Sequence, residues 1–176
     1  MNVHVKLIVI SLALIKGGDS FPSVQKDPLS GTDDEQGTSL SRTKRSFVQF
    51  GLMILCKAKR NPLDYNGYGC YCGRGKGVGN PVDEIDRCCV THDKCYVDHL
   101  RSADVCGENI GSALHLITYK RNGCTGCARE KRFFLDVGNS RCQKAKCECD
   151  GAAARCFQQH DSKFNNQFKN HDKSSC

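Results

Sequence analysis

The sequence predicts a mainly α-helical domain stapled by disulfides and preceded by a removable leader. Three observations predict this. The 176-residue chain has 14 cysteines, all between Cys56 and Cys176, and such an even, crowded set marks a disulfide framework formed in an oxidising compartment. Helical patterns open at Ser46, Val82 and Arg141, each with apolar residues or cysteines recurring on one face. Glycine and proline cluster between the first two, from Asn61 to Pro81, which makes that stretch a loop. A content of 39% hydrophobic and 26% charged residues is globular, and excludes wholesale disorder and a polytopic membrane protein.

The leader has two parts. Leu7–Ile15 is an apolar run preceded by Lys6 and followed by the small, polar Lys16–Ser20. That length suits the core of a signal peptide, residues 1–20, and is too short to cross a bilayer, which needs roughly 20 residues. Residues 21–45 hold Pro22, Pro28, Gly31, Gly37, many Ser and Thr and the acidic Asp33-Asp34-Glu35. They read as a disordered propeptide ending at the dibasic Lys44-Arg45. The expected mature domain is 46–176, with 20 Lys and Arg against 14 Asp and Glu, a net charge of +6. The product is expected to be secreted and extracellular.

Within the domain, Ser46 reads as an N-cap with Gln49 in the capping-box position, opening a short helix whose stripe is Phe47, Phe50 and Ile54. Val82–Leu100 reads as a long helix, with Asp83 and Glu84 favouring its first turn through the helix dipole. Cys88, His92 and Tyr96 share a face there at i, i+4, i+8. Gly107–Tyr119 is a further candidate helix, and Arg121–Phe134 a small hairpin. Arg141–His160 is a second long helix, with Cys142, Cys149 and Cys156 on one face and Cys147 off it. Adjacent Cys88 and Cys89, like the near neighbours Cys70 and Cys72, are too awkwardly placed to bridge each other, so each reaches a distant segment.

The chemistry concentrates in two motifs. Tyr68-Gly-Cys-Tyr-Cys-Gly-Arg-Gly-Lys-Gly-Val-Gly-Asn-Pro81 is followed by Asp86-Arg-Cys-Cys-Val-Thr-His-Asp-Lys-Cys-Tyr96. Together they closely resemble the secreted phospholipase A2 family, which couples a calcium loop to a Cys-Cys-x-x-His-Asp-x-Cys-Tyr helix. The resemblance covers nearly all of 46–176. It implies that family's fold: two long antiparallel helices joined by disulfides, an N-terminal helix, a calcium loop and a small β-wing. It also implies hydrolysis of the sn-2 ester of glycerophospholipids at a membrane surface or micelle, with no role for nucleic acid. The oligomeric state is left open.

Residue by residue, the resemblance implies that Tyr71, Gly73 and Gly75 offer backbone carbonyls to Ca²⁺ and Asp93 its carboxylate. Glycine suits such a loop because it accepts positive φ, and calcium takes six to eight oxygens. His92, which can accept a proton near neutral pH, would be the general base, oriented by Asp150, with Tyr96 and a second tyrosine near Tyr119 bonding to Asp150. The implied disulfides are Cys56–Cys124, Cys70–Cys176, Cys72–Cys89, Cys88–Cys156, Cys95–Cys149, Cys106–Cys142 and Cys127–Cys147.

Two places depart from the family pattern. The loop from Cys72 to Pro81 carries one extra residue, most simply Lys76, so the third carbonyl could shift to Lys76 or Gly77. The close Cys124 and Cys127, with a long run to Cys142, mean a rebuilt β-wing. A zinc site of Cys88, Cys89, His92 and Cys95 is the competing reading, opposed by the oxidation of thiols in secreted proteins. A catalytically silent toxin that acts by membrane or receptor binding is the functional alternative, and Asp93 rather than a cation after His92 argues against it. With no Trp in the chain, cations such as Lys57, Lys59, Arg60, Arg74 and Lys76 are expected to draw the enzyme to anionic lipid.

Overall fold

The computed structural model describes residues 34–176 apart from 76, 103 and 134, and for 34–45 and 112 the backbone alone. The apolar run and the first part of the leader lie outside the described residues. Three helices, α1 (Asp34–Ala58), α2 (Glu84–Lys94) and α3 (Arg141–Gln159), carry the domain. One two-stranded antiparallel sheet joins β1 (Arg121–Asn122) to β2 (Gly126–Cys127), pairing Arg121 with Cys127 and Asn122 with Gly126. This is the phospholipase A2 fold anticipated above, with the hairpin shorter than expected.

All seven implied disulfides are present. Cys88–Cys156 and Cys95–Cys149 run in opposite senses, seven residues apart on each helix, and so lock α2 and its extension antiparallel to α3. Closing a loop of 54 residues, as Cys95–Cys149 does, stabilises by about 4 kcal/mol in the chain-entropy account. Between the helices lies one apolar cluster: Met53, Ile54 and Ala58 of α1, Ile85 and Cys88 of α2, and Ala153, Ala154 and Phe157 of α3. The small side chains at the centre of α3 let α1 approach closely.

The reading of residues 34–45 as disordered is corrected: the helix of the domain already runs through them. No proline falls between Pro28 and Pro62 to stop it. Ser46 is therefore inside α1 and buried rather than an N-cap. Gln49 does not close a capping box. Its amide instead donates to the Tyr119 carbonyl (2.6 Å) and accepts from the Tyr119 N–H (3.2 Å).

Two other boundaries move. Asp83 is the N-cap of α2, its carboxylate accepting from the Asp86 N–H at 2.8 Å, so Val82 lies outside the helix. After Lys94 the chain continues as a π-helical turn, Cys95–Leu100. Gly107–Tyr119 is a 3₁₀ segment over Glu108–Leu116, broken at Gly111, because Gly111 takes φ 47 and ψ −131. The capping box sits elsewhere, at Ser140 and Gln143 on α3.

Asn139 holds the wing to the domain. Fully buried, it accepts from the Lys120 N–H (2.7 Å) and donates to the carbonyls of Lys120 (2.9 Å) and Ala128 (3.2 Å). Asn139→Ala would strand those buried backbone groups, so denaturant unfolding should show a loss of about 3 kcal/mol; a loss under about 0.5 kcal/mol would contradict this role.

Candidate active site

The carboxylate of Asp150 is fully buried at the centre of α3, and four side chains surround it. Its Oδ1 meets His92 Nε2 at 2.8 Å and accepts from the Tyr96 hydroxyl at 2.6 Å. Its Oδ2 accepts from the Tyr119 hydroxyl at 2.6 Å and from Lys146 Nζ at 3.0 Å. A buried charge is tolerable only when paired and hydrogen-bonded, and Asp150 is both. Burial pushes its carboxyl up, but the hydrogen bond from His92, the charge of Lys146 and the Tyr119 hydroxyl outweigh that and hold it down to about 2. Burial, with Asp150 alongside, raises both Tyr96 and Tyr119 well above the ordinary phenol value, so both remain donors.

The disulfides set this geometry. His92 lies four residues after Cys88 and three before Cys95, and Asp150 follows Cys149 directly. The bridges that lock the helices therefore flank the His92–Asp150 pair on both sides. Phe50 of α1 stacks on the His92 ring, with centroids 4.7 Å apart. With Nε2 committed to Asp150, Nδ1 is the nitrogen left to meet a ligand. The stripe expected on the first helix is divided: Ile54 is core and Phe50 covers His92, while Phe47 joins Val48, Leu52 and Leu55 on the exposed side. Phe47 also stacks on His115 at 5.8 Å. Burial, with the cation of Lys146 second, lowers the His115 imidazolium below its ordinary value.

The glycine-rich loop is held by Asp86, whose carboxylate accepts from the N–H groups of Cys70 (2.8 Å), Tyr71 (2.8 Å) and Val82 (3.1 Å). Only glycine fits at position 69, because φ is +55 and a Cβ would lie 2.4 Å from the Asp86 carboxyl carbon. Tyr71 follows that clamp, its ring against Gly77 and its hydroxyl donating to the Gly79 carbonyl at 2.8 Å. Gly73 and Gly75 both take φ +106, and a Cβ on Gly73 would come within 2.8 Å of the Gly67 nitrogen. Cys72–Cys89 ties the loop to α2 one helical turn before Asp93. Lys76 itself lies outside the described residues.

Asp93 is half-buried and makes no hydrogen bond or ion pair among the described residues. Burial pushes its carboxyl above the ordinary range, with only partial relief from His92 and Lys173. A cation is the partner such a group lacks, and the donors expected around it are hard oxygens, the chemistry that Ca²⁺ takes. The residues therefore fit a calcium ion. The zinc reading fails, because Cys88, Cys89 and Cys95 are all in disulfides.

Three members of the site were missed in the sequence. Lys146 is buried and i−4 to Asp150 on α3, a spacing that pairs a cation with a carboxylate and could have found it. Asp86 lies seven residues before Asp93 on α2, in the same motif. Phe50 reads in the sequence only as part of the first helix's apolar stripe.

Residues 47–169 match the family described as Phospholipase A2. A phospholipase A2 of Calliactis polypus is 40% identical over 131 residues, covering 74% of this chain and 74% of its own. One from Bos taurus is 40% identical over 134 residues, covering 75% and 86%. Phospholipase A2 AP-PLA2-I of Acanthaster planci is 38% identical over 141 residues, covering 75% and 86%. The chain belongs to the phospholipase A2 family, a class of enzymes.

The Asp150 carboxyl lies lower in the folded protein than the ordinary value of about 3.9 in an unfolded chain. Its contribution to stability is thus complete above about pH 4 and lost as the pH falls towards 2. It amounts to something on the order of 2 kcal/mol. Unfolding measured across that window should show a flatter pH dependence for Asp150→Asn by that amount; equal slopes would contradict it.

Proposed function

We propose that this protein is a secreted, calcium-dependent phospholipase A2 that hydrolyses the sn-2 ester of glycerophospholipids to a fatty acid and a lysophospholipid. The observation that carries the reading is the His92–Asp150 pair, locked between two disulfides and set directly before a half-buried carboxylate that lacks a partner. His92 Nδ1 takes a proton from a water molecule as that water attacks the ester carbonyl. Asp150 holds the ring through Nε2 and stabilises the imidazolium that forms. Tyr96, Tyr119 and Lys146 keep Asp150 ionised and in place. The imidazolium then gives its proton to the leaving glycerol oxygen. The Gly73 N–H is a donor for the oxyanion of the tetrahedral intermediate. Tyr71, Gly73 and Gly75 carbonyls with the Asp93 carboxylate would hold Ca²⁺, which when bound supplies positive charge for the substrate phosphate and carbonyl oxygen.

The disulfide-rich domain and the apolar Leu7–Ile15 leader support secretion. Cleavage after Lys44-Arg45 would release residues 46–176. Because α1 runs through this pair, the processing protease must unwind that part of the helix. The substrate surface is taken to be anionic, in keeping with the net charge of +6 over 46–176.

Fatty-acid release from phospholipid vesicles should depend on added Ca²⁺ and stop with chelator. His92→Gln should lose about 10²–10⁴-fold in rate with unchanged circular dichroism and calcium binding, whereas Asp93→Asn should lose calcium binding itself. Turnover in chelator, or an undiminished rate in a folded His92→Gln protein, would overturn the mechanism. Mass spectrometry of the secreted product should find Ser46 at the N-terminus; an equally active species that starts near Phe21 would refute activation at the dibasic pair.

A further inference from the structure

The wing includes a part of the chain that the hydrolytic site does not use. Between β2 and α3 the chain makes a closed loop, Arg129–Asn139, in which Glu130 and Asn139 form a parallel bridge. Its neck is pinned by the Asn139 N–H donating to the Arg129 carbonyl and the Lys131 N–H donating to the Asn139 carbonyl, both at 2.9 Å. Gly138 is required there, because a Cβ would sit 2.7 Å from the Arg129 carbonyl oxygen. Nearer the tip, Asp136 pairs with the Arg129 guanidinium and accepts from the Arg132 N–H at 3.0 Å, while its own N–H donates to the Phe133 carbonyl at 3.0 Å. The loop is therefore a built structure.

What it presents is apolar. Phe133, Leu135 and Val137 are 77%, 89% and 74% exposed, at alternate positions of one short segment. The cations Lys131 and Arg132 immediately precede them, exposed and without an ion pair among the described residues. A framework ordered by internal hydrogen bonds that still turns three large apolar groups to water has the character of a binding surface. Apolar tips beside unpaired cations complement one environment: the headgroup boundary of an anionic membrane, where side chains bury apolar area while cations meet lipid charge. A second copy of the chain suits this patch poorly, since a two-fold pairing would set Lys131 and Arg132 against their own images.

Resting on the lipid-surface reading above, we propose that the loop Arg129–Asn139 is a membrane anchor of its own, inserting Phe133, Leu135 and Val137 into an anionic phospholipid surface with Lys131 and Arg132 at the rim. It acts apart from the exposed apolar face of α1, and it determines which lipid surfaces the enzyme can work on.

The chain has no Trp, so Leu135→Trp in the His92→Gln background gives a single reporter free of hydrolysis. With phosphatidylglycerol vesicles its emission should shift to the blue and be quenched by lipids brominated on the acyl chains, and with phosphatidylcholine both effects should be small. In the otherwise wild-type enzyme, replacing Phe133, Leu135 and Val137 together by Ser should cost about tenfold or more on phosphatidylglycerol vesicles. The rate on a monomeric short-chain phospholipid should stay unchanged. A fully hydrated, unquenched Trp overturns the proposal, whether the protein sediments with the vesicles or fails to bind them. So does a blue shift that follows protein concentration without lipid, or an equal rate for the triple variant on vesicles. Each of those leaves the hydrolase reading intact as long as the wild type cleaves the monomeric lipid. If the wild type cleaves neither substrate, the hydrolase reading itself fails.

Discussion

The structure depends on a single carboxylate with no exposed surface. Asp150 sits in the middle of α3 with both oxygens bonded to protein side chains. An isolated carboxylate there would be prohibitively costly, so its neighbours are fixed by its needs. His92 and Tyr96 come from α2 and its π-helical extension, Tyr119 from the segment before the wing, and Lys146 from α3 itself. Gln49 of α1 takes both backbone groups of Tyr119, which brings the first helix into the same arrangement. One charge thus organises contributions from nearly every part of the domain.

The disulfides make that arrangement durable in a chain with a modest core. The bridges at Cys88 and Cys95 fix the helices in register on either side of the His92–Asp150 contact. Cys72–Cys89 then extends the same frame to the glycine-rich loop. Asp86 and Asp93 lie on α2 seven residues apart and serve opposite purposes. Asp86 is saturated by loop N–H groups and sets the loop's shape. Asp93, at the other end, has no side-chain partner among the described residues and is raised by burial.

Much of this was legible in the sequence, for identifiable reasons. The His92-Asp93 pair, Asp150 and the loop belong to motifs whose residue types follow from the chemistry, so the resemblance carried them along with all seven disulfides. What escaped notice depends on tertiary context. Residues 34–45 look like linker because they are polar and include Gly37, yet they continue a helix already nucleated by the packed segment that follows. Ser46 and Gln49 have the spacing of a capping box, but Gln49 finds better partners 70 residues away in Tyr119. Lys146 reads as one more surface lysine among many; its i−4 spacing to Asp150 was the available signal, but its burial beside that carboxylate depends on the fold. The loop with Phe133 and Leu135 could be recognised as rebuilt from cysteine spacing, but not as exposed.

Asp150 dictates which nitrogen of His92 carries the proton, and nitrogen NMR of the histidine-labelled protein measures it. In the neutral ring the proton should lie on Nε2, with Nδ1 bare and able to accept from water, and that single-tautomer signature should be lost in Asp150→Asn. A neutral ring protonated on Nδ1 in the wild type would contradict it.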